Sequence, residues 1–467
     1  MASEVYDVVI VGAGTAGLSL AYLLAKEDVN VAVLERKPRD KIGYKVCGDA
    51  IAAHHFRYST LPKPPSEVVV HEVRGIRIFP YDIRYHVTVI SDEGGYVVDR
   101  LEYGQHLLEL VEKYGATVLD SFHVSTPIIK NNYVVGVKGI HRGKEYTIHG
   151  KIIVDASGYS AVLLSKLPNN TGIEKVIDKR DVIISYREII ELNGRFEDPG
   201  YLWIHFIDKY APGGYVWIFP HSRDCTVVNV GNGVQAGLNY PNPKFLLSMY
   251  KEEYEPLKEL FKSSKIIDSG IWNIPNRRPR GMLVWNGFLL IGDAAIQIDP
   301  TTAEGIGYGM YGAYAASKAI LQSLEDRDYS IKSLWSYCHS YMTSRYGVNQ
   351  AKFDVFRYLL QSVSEDAHLF AIKYKIIRDE ELSSAKDRDI RISMISKAIR
   401  ALKGLLHGKI EVIKALNYVL KMMRAVGGLY RKYPIDPREY LKWKAIEESL
   451  FNEIKERFPP YIPHYYR

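Results

Sequence analysis

Tyr6 to Val11 (YDVVIV) is a nearly continuous apolar run, the pattern of a strand covered on both faces. It leads directly into Gly12-Ala13-Gly14-Thr15-Ala16-Gly17, after which Leu18 to Lys26 predicts a helix. A second apolar run, Val29 to Leu34, ends in Glu35. Strand, G-x-G-x-x-G, helix, strand and acid follow in the order of a Rossmann-type dinucleotide-binding unit. The first two glycines permit a tight turn and close backbone approach to a pyrophosphate. The helix start offers free N–H groups, and Glu35 can hold a ribose hydroxyl.

The pattern then changes twice. Residues 62–96 and 176–282 read as strands of alternating apolar and polar positions, for example Val216 to Phe219 and Cys225 to Val230. From about residue 336 the texture is helical: Ile392, Ile395, Ile399, Leu402, Leu406, Ile413, Leu416 and Leu420 recur near helical spacing. A multidomain α/β (α+β) chain is expected. A discontinuous cofactor domain would take residues 1–60, 97–175 and 283–335, and an antiparallel-sheet substrate domain 62–96 and 176–282. A C-terminal helical domain would take 336–467. No repeat of fixed period interrupts this layout.

A distant segment bears on which dinucleotide is bound. Gly287 to Ala295 (GFLLIGDAA) is an apolar strand ending in Gly-Asp, followed by PTTAEGIGYG (300–309) and a small-residue helix from Met310 to Leu324. Asp293, at a strand end, is placed to hydrogen-bond a ribityl hydroxyl. The next helix start points its positive end at a flavin pyrimidine and favours the anionic reduced ring. FAD is therefore the expected cofactor. Arg100 opens a helix (Asp99 to Val111) after the strand Tyr96-Val97-Val98 and can reach a pyrophosphate; a surface arginine is the alternative. No second G-x-G-x-x-G follows a strand. The electron donor is thus expected to visit the flavin, as NAD(P)H, a ferredoxin-like protein or another reductant.

Composition narrows the classes. A chain of 467 residues with 47% hydrophobic and 25% charged residues suits a globular protein of two or three domains. Cys47, Cys225 and Cys338 are too few and too scattered for a disulfide framework, a zinc ribbon or a local iron–sulfur cluster, and no metal is expected. MASEVYDVVIVGAG lacks the n-region and apolar core of an export signal, and no apolar run approaches the ~18 residues of a membrane span. A cytoplasmic location is expected, without a nucleic-acid partner. Arg391, Lys397, Arg400, Lys403, Lys409, Lys414, Lys421, Arg424 and Arg431, opposed in that window only by Glu411, offer a basic amphipathic face to the cytoplasmic side of an anionic membrane. The plainer alternative is helices packed on a domain with their charges in water.

The G-D-A-A and P-x-x-x-E-G-I-G pair, with the first unit, resembles flavoproteins of the p-hydroxybenzoate hydroxylase superfamily. Within it, Lys45-Val46-Cys47-Gly48-Asp49, Pro212 to Pro220 (PGGYVWIFP) with Val228-Asn229-Val230-Gly231, and Arg277-Arg278-Pro279 resemble the geranylgeranyl reductase family over residues 5 to about 345. The resemblance implies FAD contacts at Gly12, Ala13, Gly14, Thr15, Ala16, Gly17, Glu35, Arg36, Cys47, Gly48, Ala50, Arg100, Val124, Asp293, Gly305 and Ile306. It implies a reductase that saturates C=C bonds of geranylgeranyl or other polyprenyl chains, with hydride from flavin N5. The substrate would be geranylgeranyl diphosphate, an archaeal-type ether phospholipid or a prenylquinone tail.

Cys47, Tyr215, Trp217 and His55 are the candidate catalytic groups. The Cys47 thiol would shape the pocket or relay a proton, and His55 would assist with protons or bind a phosphate. Tyr215 and Trp217 would steady cationic character on the alkene, or be ordinary sheet core. Arg277, Arg278 and Arg280 would hold an anionic head group or form internal salt bridges. Two departures stand out: Asp155-Ala156-Ser157-Gly158 replaces the hydroxylase Asp-Gly motif, and Thr302-Ala303-Glu304-Gly305 stands where many reductases have consecutive glycines. An FAD monooxygenase or halogenase, and a non-catalytic electron-transfer or lipid-carrier flavoprotein, are the competing classes.

Overall fold

The computed structural model describes residues 5–384 and 393–466, so Arg391 and Ile392 of the basic segment lie outside the described residues. Two eight-stranded sheets organise the chain. The first runs β15 (Val284–Trp285), β16 (Phe288–Leu290), β9 (Lys144–Asp155), β1 (Val5–Val11), β2 (Val31–Leu34) and β6 (Thr117–Leu119). An antiparallel pair, β7 (Phe122–Lys130) and β8 (Tyr133–His141), branches from β9. β1 pairs in parallel with both β2 and β9, aligning Val11 with Leu34 on one side and Asp155 on the other. Val8, Val9 and Ile10 are wholly buried, each contributing about 1.5–3 kcal/mol by its transfer from water. Helix α1 (Thr15–Ala25) packs against both α3 (Arg100–Lys113) and α6 (Ile306–Asp326) beside this sheet.

The second sheet runs β14 (Lys265–Pro275), β10 (Val182–Glu191), β13 (Val227–Gln235), β12 (Val216–Pro220), β11 (Tyr201–His205), β4 (Val69–Phe79), β5 (Val87–Val98) and β3 (Ala50–Ala52). The expected antiparallel sheet is in fact mixed, because β4 and β11 pair in parallel, Tyr201 opposite Gly75. Alternation has period two in either direction, so the pattern specifies strands but not their sense. β3 joins this sheet from within the stretch assigned above to the cofactor unit. Helices α4 (Pro243–Glu253) and α5 (Lys258–Phe261) interrupt the strand-rich region. Asn242 caps α4, accepting from the Lys244 amide at 2.8 Å, with Pro243 at the first helical position.

The remaining helices are α2 (His54–Tyr58), α7 (Ile331–Thr343), α8 (Arg345–Ser362), α9 (Glu365–Lys373), α10 (Asp379–Ser384), α11 (Met394–Leu406), α12 (Ile410–Tyr430) and α13 (Tyr440–Arg457). α8 is buried over most of its surface, and its charges are matched internally. Arg278 pairs with Asp354 and Glu447, both at 3.2 Å. Arg357 pairs with Asp181 at 2.9 Å, and Arg277 with Glu174 at 3.0 Å. Arg280 donates to the Ala294 carbonyl at 2.8 Å. The three arginines at 277–280 thus form internal bonds, the second of the two roles open to them, and none borders the central cavity.

Tyrosines fill the joints between these helices, their rings stacking and their hydroxyls bonding backbone or amide groups. Tyr311 and Tyr346 stack at 4.2 Å, and Tyr337 donates to the Leu290 carbonyl at 2.8 Å. The helical run in the sequence divides between two helices. Ile413, Leu416 and Leu420 of α12 are buried, whereas Ile395, Ile399, Leu402 and Leu406 of α11 are exposed. Among the described residues no helix is long and apolar enough to cross a membrane. Glu447 is fully buried between Arg278 and Lys444. Glu447→Ala should therefore cost about 3 kcal/mol of stability by leaving Arg278 with Asp354 alone and Lys444 without its near partner, read as a fall in the urea midpoint.

Candidate active site

A cavity of about 880 Å³ lies between the two sheets. Its floor is the first sheet's turn at Gly14–Ala16, with Arg100, Gly158, Asp293 and the loop Thr302–Ile306. Its roof is the second sheet, through Leu202, Ile204, Tyr215, Trp217 and Phe219, and the segment Lys45–Ala52 crosses its waist. The far end opens beside Arg57, Tyr58, Ile90, Glu93, Arg345 and Leu382.

The glycines of the first motif separate by role. Gly12 has φ +110°, and a Cβ there would fall 2.5 Å from the Ala156 carbonyl oxygen, so backbone packing requires it. A Cβ at Gly14 would meet nothing within 4 Å. Open space begins there, at the start of α1, whose first amides have no side-chain cap. Arg100 is buried beside them and donates to the Thr15 hydroxyl through Nη2, while its Nε and Nη1 have no protein partner. A buried guanidinium with two unused donors at a helix start suits an anion such as the pyrophosphate of FAD. The chain's residues fit that cofactor. Asp293 borders the cavity further along and accepts from Lys45 Nζ at 2.8 Å.

Of the positions the family resemblance implies, Gly14, Thr15, Ala16, Cys47, Gly48, Ala50, Arg100, Asp293, Gly305 and Ile306 border this space. Gly12, Ala13, Gly17, Glu35, Arg36 and Val124 are set back from it. Glu35 braces the turn, accepting from the Ala13 amide at 2.7 Å and the Lys37 amide at 2.9 Å. The Asp155 departure also has a structural use. Its carboxylate accepts from the amides of Ser157 at 3.1 Å and Leu163 at 2.9 Å and so shapes the following loop.

At the waist, strand alternation in β12 and the residue before it points Tyr215, Trp217 and Phe219 toward the cavity and buries Val216 and Ile218 against the outer core. Trp217 Nε1 donates to Asn229 Oδ1 at 2.9 Å. Asn229 Nδ2 in turn donates to the Cys47 carbonyl at 2.8 Å and to Asp49 Oδ2 at 3.0 Å. The Tyr215 hydroxyl donates to the Thr302 carbonyl, tying the roof to the loop before α6.

Burial pushes the half-buried Cys47 thiol up, and the neighbouring Asp49 adds to the effect, so the sulfur remains a thiol at neutral pH. Asp49 is itself buried, in a left-handed backbone conformation, with one carboxyl oxygen unpartnered. Burial raises its carboxyl to about 7, against the pull of Arg187 and Arg100.

His55 does not touch the cavity. It stands behind Glu304, with Nε2 2.5 Å from Glu304 Oε1, and Glu304 borders the space. Asn229 and Asp49 stand in the sequence motifs without a role of their own, and Glu304 as the acid of the departure at Thr302–Gly305. Each lies inside or beside a motif already singled out, but only the fold shows what it bonds.

Residues 181–271 match the family model of the geranylgeranyl reductase catalytic domain, and residues 2–190 that of the Thi4 family. The chain is 33% identical over 454 residues to the digeranylgeranylglycerophospholipid reductase of Sulfolobus acidocaldarius, covering 97% of this chain and 98% of that one. It is 30% identical over 337 residues to digeranylgeranylglycerophospholipid reductase 2 of Methanococcoides burtonii, covering 71% and 79%. Among solved structures, a geranylgeranyl bacteriochlorophyll reductase-like protein of Thermoplasma acidophilum shares the fold with a TM-score of 0.73 at 24% identity, over 89% of this chain and 99% of that one. A flavin-dependent brominase shares it with a TM-score of 0.66 at 20% identity, over 97% and 100%. Fold and cavity define the class, an FAD-dependent flavoprotein. The chain belongs to the geranylgeranyl reductase family.

Two measurements check the site. Arg100→Met should weaken FAD binding roughly 10–100-fold, the value of one charge-assisted hydrogen bond at about 1.5–3 kcal/mol. A flavin fluorescence titration reads it, and unchanged affinity would remove Arg100 from the cofactor site. The Asp49 carboxyl titrates near 7 in the fold, against about 3.9 unfolded. Stability therefore falls as pH rises from about 4 to 7 and is flat above. Asp49→Asn should raise the melting temperature at pH 8 relative to the unmutated chain, with little effect at pH 4.

Proposed function

We propose that this chain saturates the carbon–carbon double bonds of geranylgeranyl chains on archaeal-type ether phospholipids; its relatives' names state a digeranylgeranylglycerophospholipid. The observation that carries this reading is the continuity of one cavity. Its cofactor end meets, at Cys47 and Trp217, an apolar arm lined by Val73, Ile76, Val89, Leu202 and Ile204. A long prenyl chain needs such an arm, and a small polar substrate does not.

Bound and reduced, FAD supplies hydride to one alkene carbon. Arg100 and the start of α1 hold the cofactor's pyrophosphate, and Asp293 holds its ribityl chain. The roof excludes water. Trp217 and Tyr215 turn aromatic faces toward the carbon that becomes electron-poor, worth about 0.5–2 kcal/mol or more when desolvated. The Asn229 amide fixes the Cys47 backbone, so the neutral thiol sits at the junction of the cofactor end and the apolar arm. There it packs against the alkene. The electron donor approaches from outside, as a nicotinamide, a ferredoxin-like protein or a small reductant.

Membrane contact is the second part of the proposal. Met394, Ile395, Ile399, Leu402, Leu405 and Leu406 of α11 are exposed, with Lys397, Lys409 and Lys414 near them. α11 is tied through Arg400 to Glu381 of α10, and α10 borders the cavity's open end through Glu380, Leu382 and Ser383. An apolar, lysine-flanked face beside the entrance suits an anionic bilayer surface on the cytoplasmic side.

The test is anaerobic. Dithionite-reduced protein is given a digeranylgeranyl phospholipid, geranylgeranyl diphosphate and a prenylquinone in parallel. The phospholipid should gain two hydrogens per double bond by mass spectrometry; no gain in any substrate sinks the reading, and an oxygen-dependent product would place the chain with the monooxygenases. Leu402→Glu with Leu405→Glu should cut co-sedimentation with anionic vesicles at least tenfold while sparing turnover of a detergent-dispersed substrate.

A further inference from the structure

A second, smaller space of about 50 Å³ adjoins the main cavity beyond Tyr215 and Trp217. It is lined by Gly233 of β13 and by Leu360 and Gln361 of α8, among others. Ser185, Tyr215, Trp217, Ile274 and Ala303 border both spaces and so form the wall between them. The chemistry proposed above gives that wall a role, because a cationic carbon is captured by any water that reaches it.

The wall is fixed from sheet to loop. Trp217 Nε1 donates to Asn229 Oδ1 at 2.9 Å, and the six-membered ring of the indole lies against Gly231. A Cβ at Gly231 would fall 2.3 Å from Trp217 Cζ2, so only glycine there seats the indole on β13. Tyr215 stands edge-on to Trp217, with ring centroids 6.3 Å apart, and its hydroxyl donates to the Thr302 carbonyl. The one hydroxyl in the rest of the wall, Ser185 Oγ, donates to the Trp272 carbonyl at 3.2 Å.

The chamber behind the wall is polar. Asn276 lines it, is 6% exposed, and has an Oδ1 without a protein partner. His368 and Asp208 line it as well and are buried. Burial lowers His368 to about 4, so its imidazole is neutral and keeps a nitrogen that accepts. Burial and the neighbouring Glu365 raise the Asp208 carboxyl to about 7. At about 10–15 Å³ per water, the space holds roughly three to five, and water supplies the partner that Asn276 lacks.

We propose that this chamber is a water-binding site and that the rings of Tyr215 and Trp217 are the partition that keeps its water from the prenyl cation, so that they decide between saturation and hydration of the double bond. The proposal rests on the reading of the chain as a prenyl reductase. The alkene π pair takes a proton of solvent origin to form a C–H bond at the less substituted carbon, leaving a cation at the tertiary carbon. Hydride from the reduced flavin closes that carbon as C–H, with the flavin oxidised by two electrons. A water oxygen would close it as C–O, lose a proton to a second water and leave the flavin reduced. Both endings start from one cation, and the partition admits only the first.

The test uses the FAD-loaded, dithionite-reduced full chain with a digeranylgeranyl phospholipid in heavy-oxygen water, the products weighed by mass spectrometry. The unmutated chain should give almost only saturated lipid. Trp217→Ala should raise the share of heavy-oxygen alcohol at least about tenfold, because a water held beside the cation reacts as a positioned neighbour. Tyr215→Ala should give the alcohol as well. Asn276→Leu added to Trp217→Ala should remove most of it by taking a polar partner from the chamber. A crystal structure of the unmutated chain should show ordered water bonded to Asn276 Oδ1.

A chamber without ordered water, no labelled alcohol from either breached variant, or alcohol undiminished by Asn276→Leu overturns the proposal. If Trp217→Ala and Tyr215→Ala do not fold, Trp217→Phe keeps a ring but loses the bond to Asn229 and leaves a gap; labelled alcohol from it supports the proposal, and none overturns it. Failure of the unmutated chain to saturate any prenyl chain overturns the reductase reading instead. The water at Asn276 then decides alone whether the chamber is a water site.

Discussion

The side-chain amide of Asn229 is the point on which the waist of the cavity depends. One amide oxygen accepts from Trp217, and one amide nitrogen donates both to the Cys47 carbonyl and to Asp49. Strand β13 is thereby joined to its neighbour's aromatic wall and to a loop some 180 residues earlier in the chain. Because all of these groups are buried or half-buried, an apolar residue at 229 would leave an indole N–H and two oxygens without partners, at about 1–3 kcal/mol each. The same amide fixes the distance between the loop and the roof, which sets the width of the channel. Packing alone would hold the roof in place, but it would not set that width.

Charge in the interior follows a different logic on the two sides of the cavity. Toward α8 and α13 the buried Arg278 and Arg357 are matched by Asp354, Glu447 and Asp181, a static network that fastens the helices to the sheets. On the cavity side, Arg100 has donors to spare and Asp49 an oxygen to spare. Unmatched polar groups are expensive in a folded chain. They persist where a ligand completes them, which is why these unmatched groups lie along the floor and the crossing loop.

Much of this was legible in the sequence. The strand–glycine–helix unit, the Gly-Asp strand end and the alternation of Tyr215, Trp217 and Phe219 are local patterns, and local patterns survive without a fold. Pairing partners do not. That β4 lies parallel to β11, that β3 leaves the cofactor unit for the second sheet, and that Arg278 meets Glu447 are facts about residues far apart, and residue type does not encode them. His55 illustrates the difference: its sequence neighbours suggest a site residue, but only the fold places Glu304 between it and the cavity. Arg277 and Arg280 were equally ambiguous until their carboxylate and carbonyl partners were visible.

The parallel contact between β4 and β11 bears on how the chain is made. β4 and its hairpin partner β5 leave the ribosome early, yet the strand that covers β4's other edge begins roughly 120 residues later. At about 5–20 residues per second, that edge waits about 6–24 s for its complement during synthesis. Exposed strand edges recruit other strands. The charges at Glu72, Arg74 and Arg77 along β4 act as gatekeepers in that interval, keeping a nascent edge soluble until its own partner arrives.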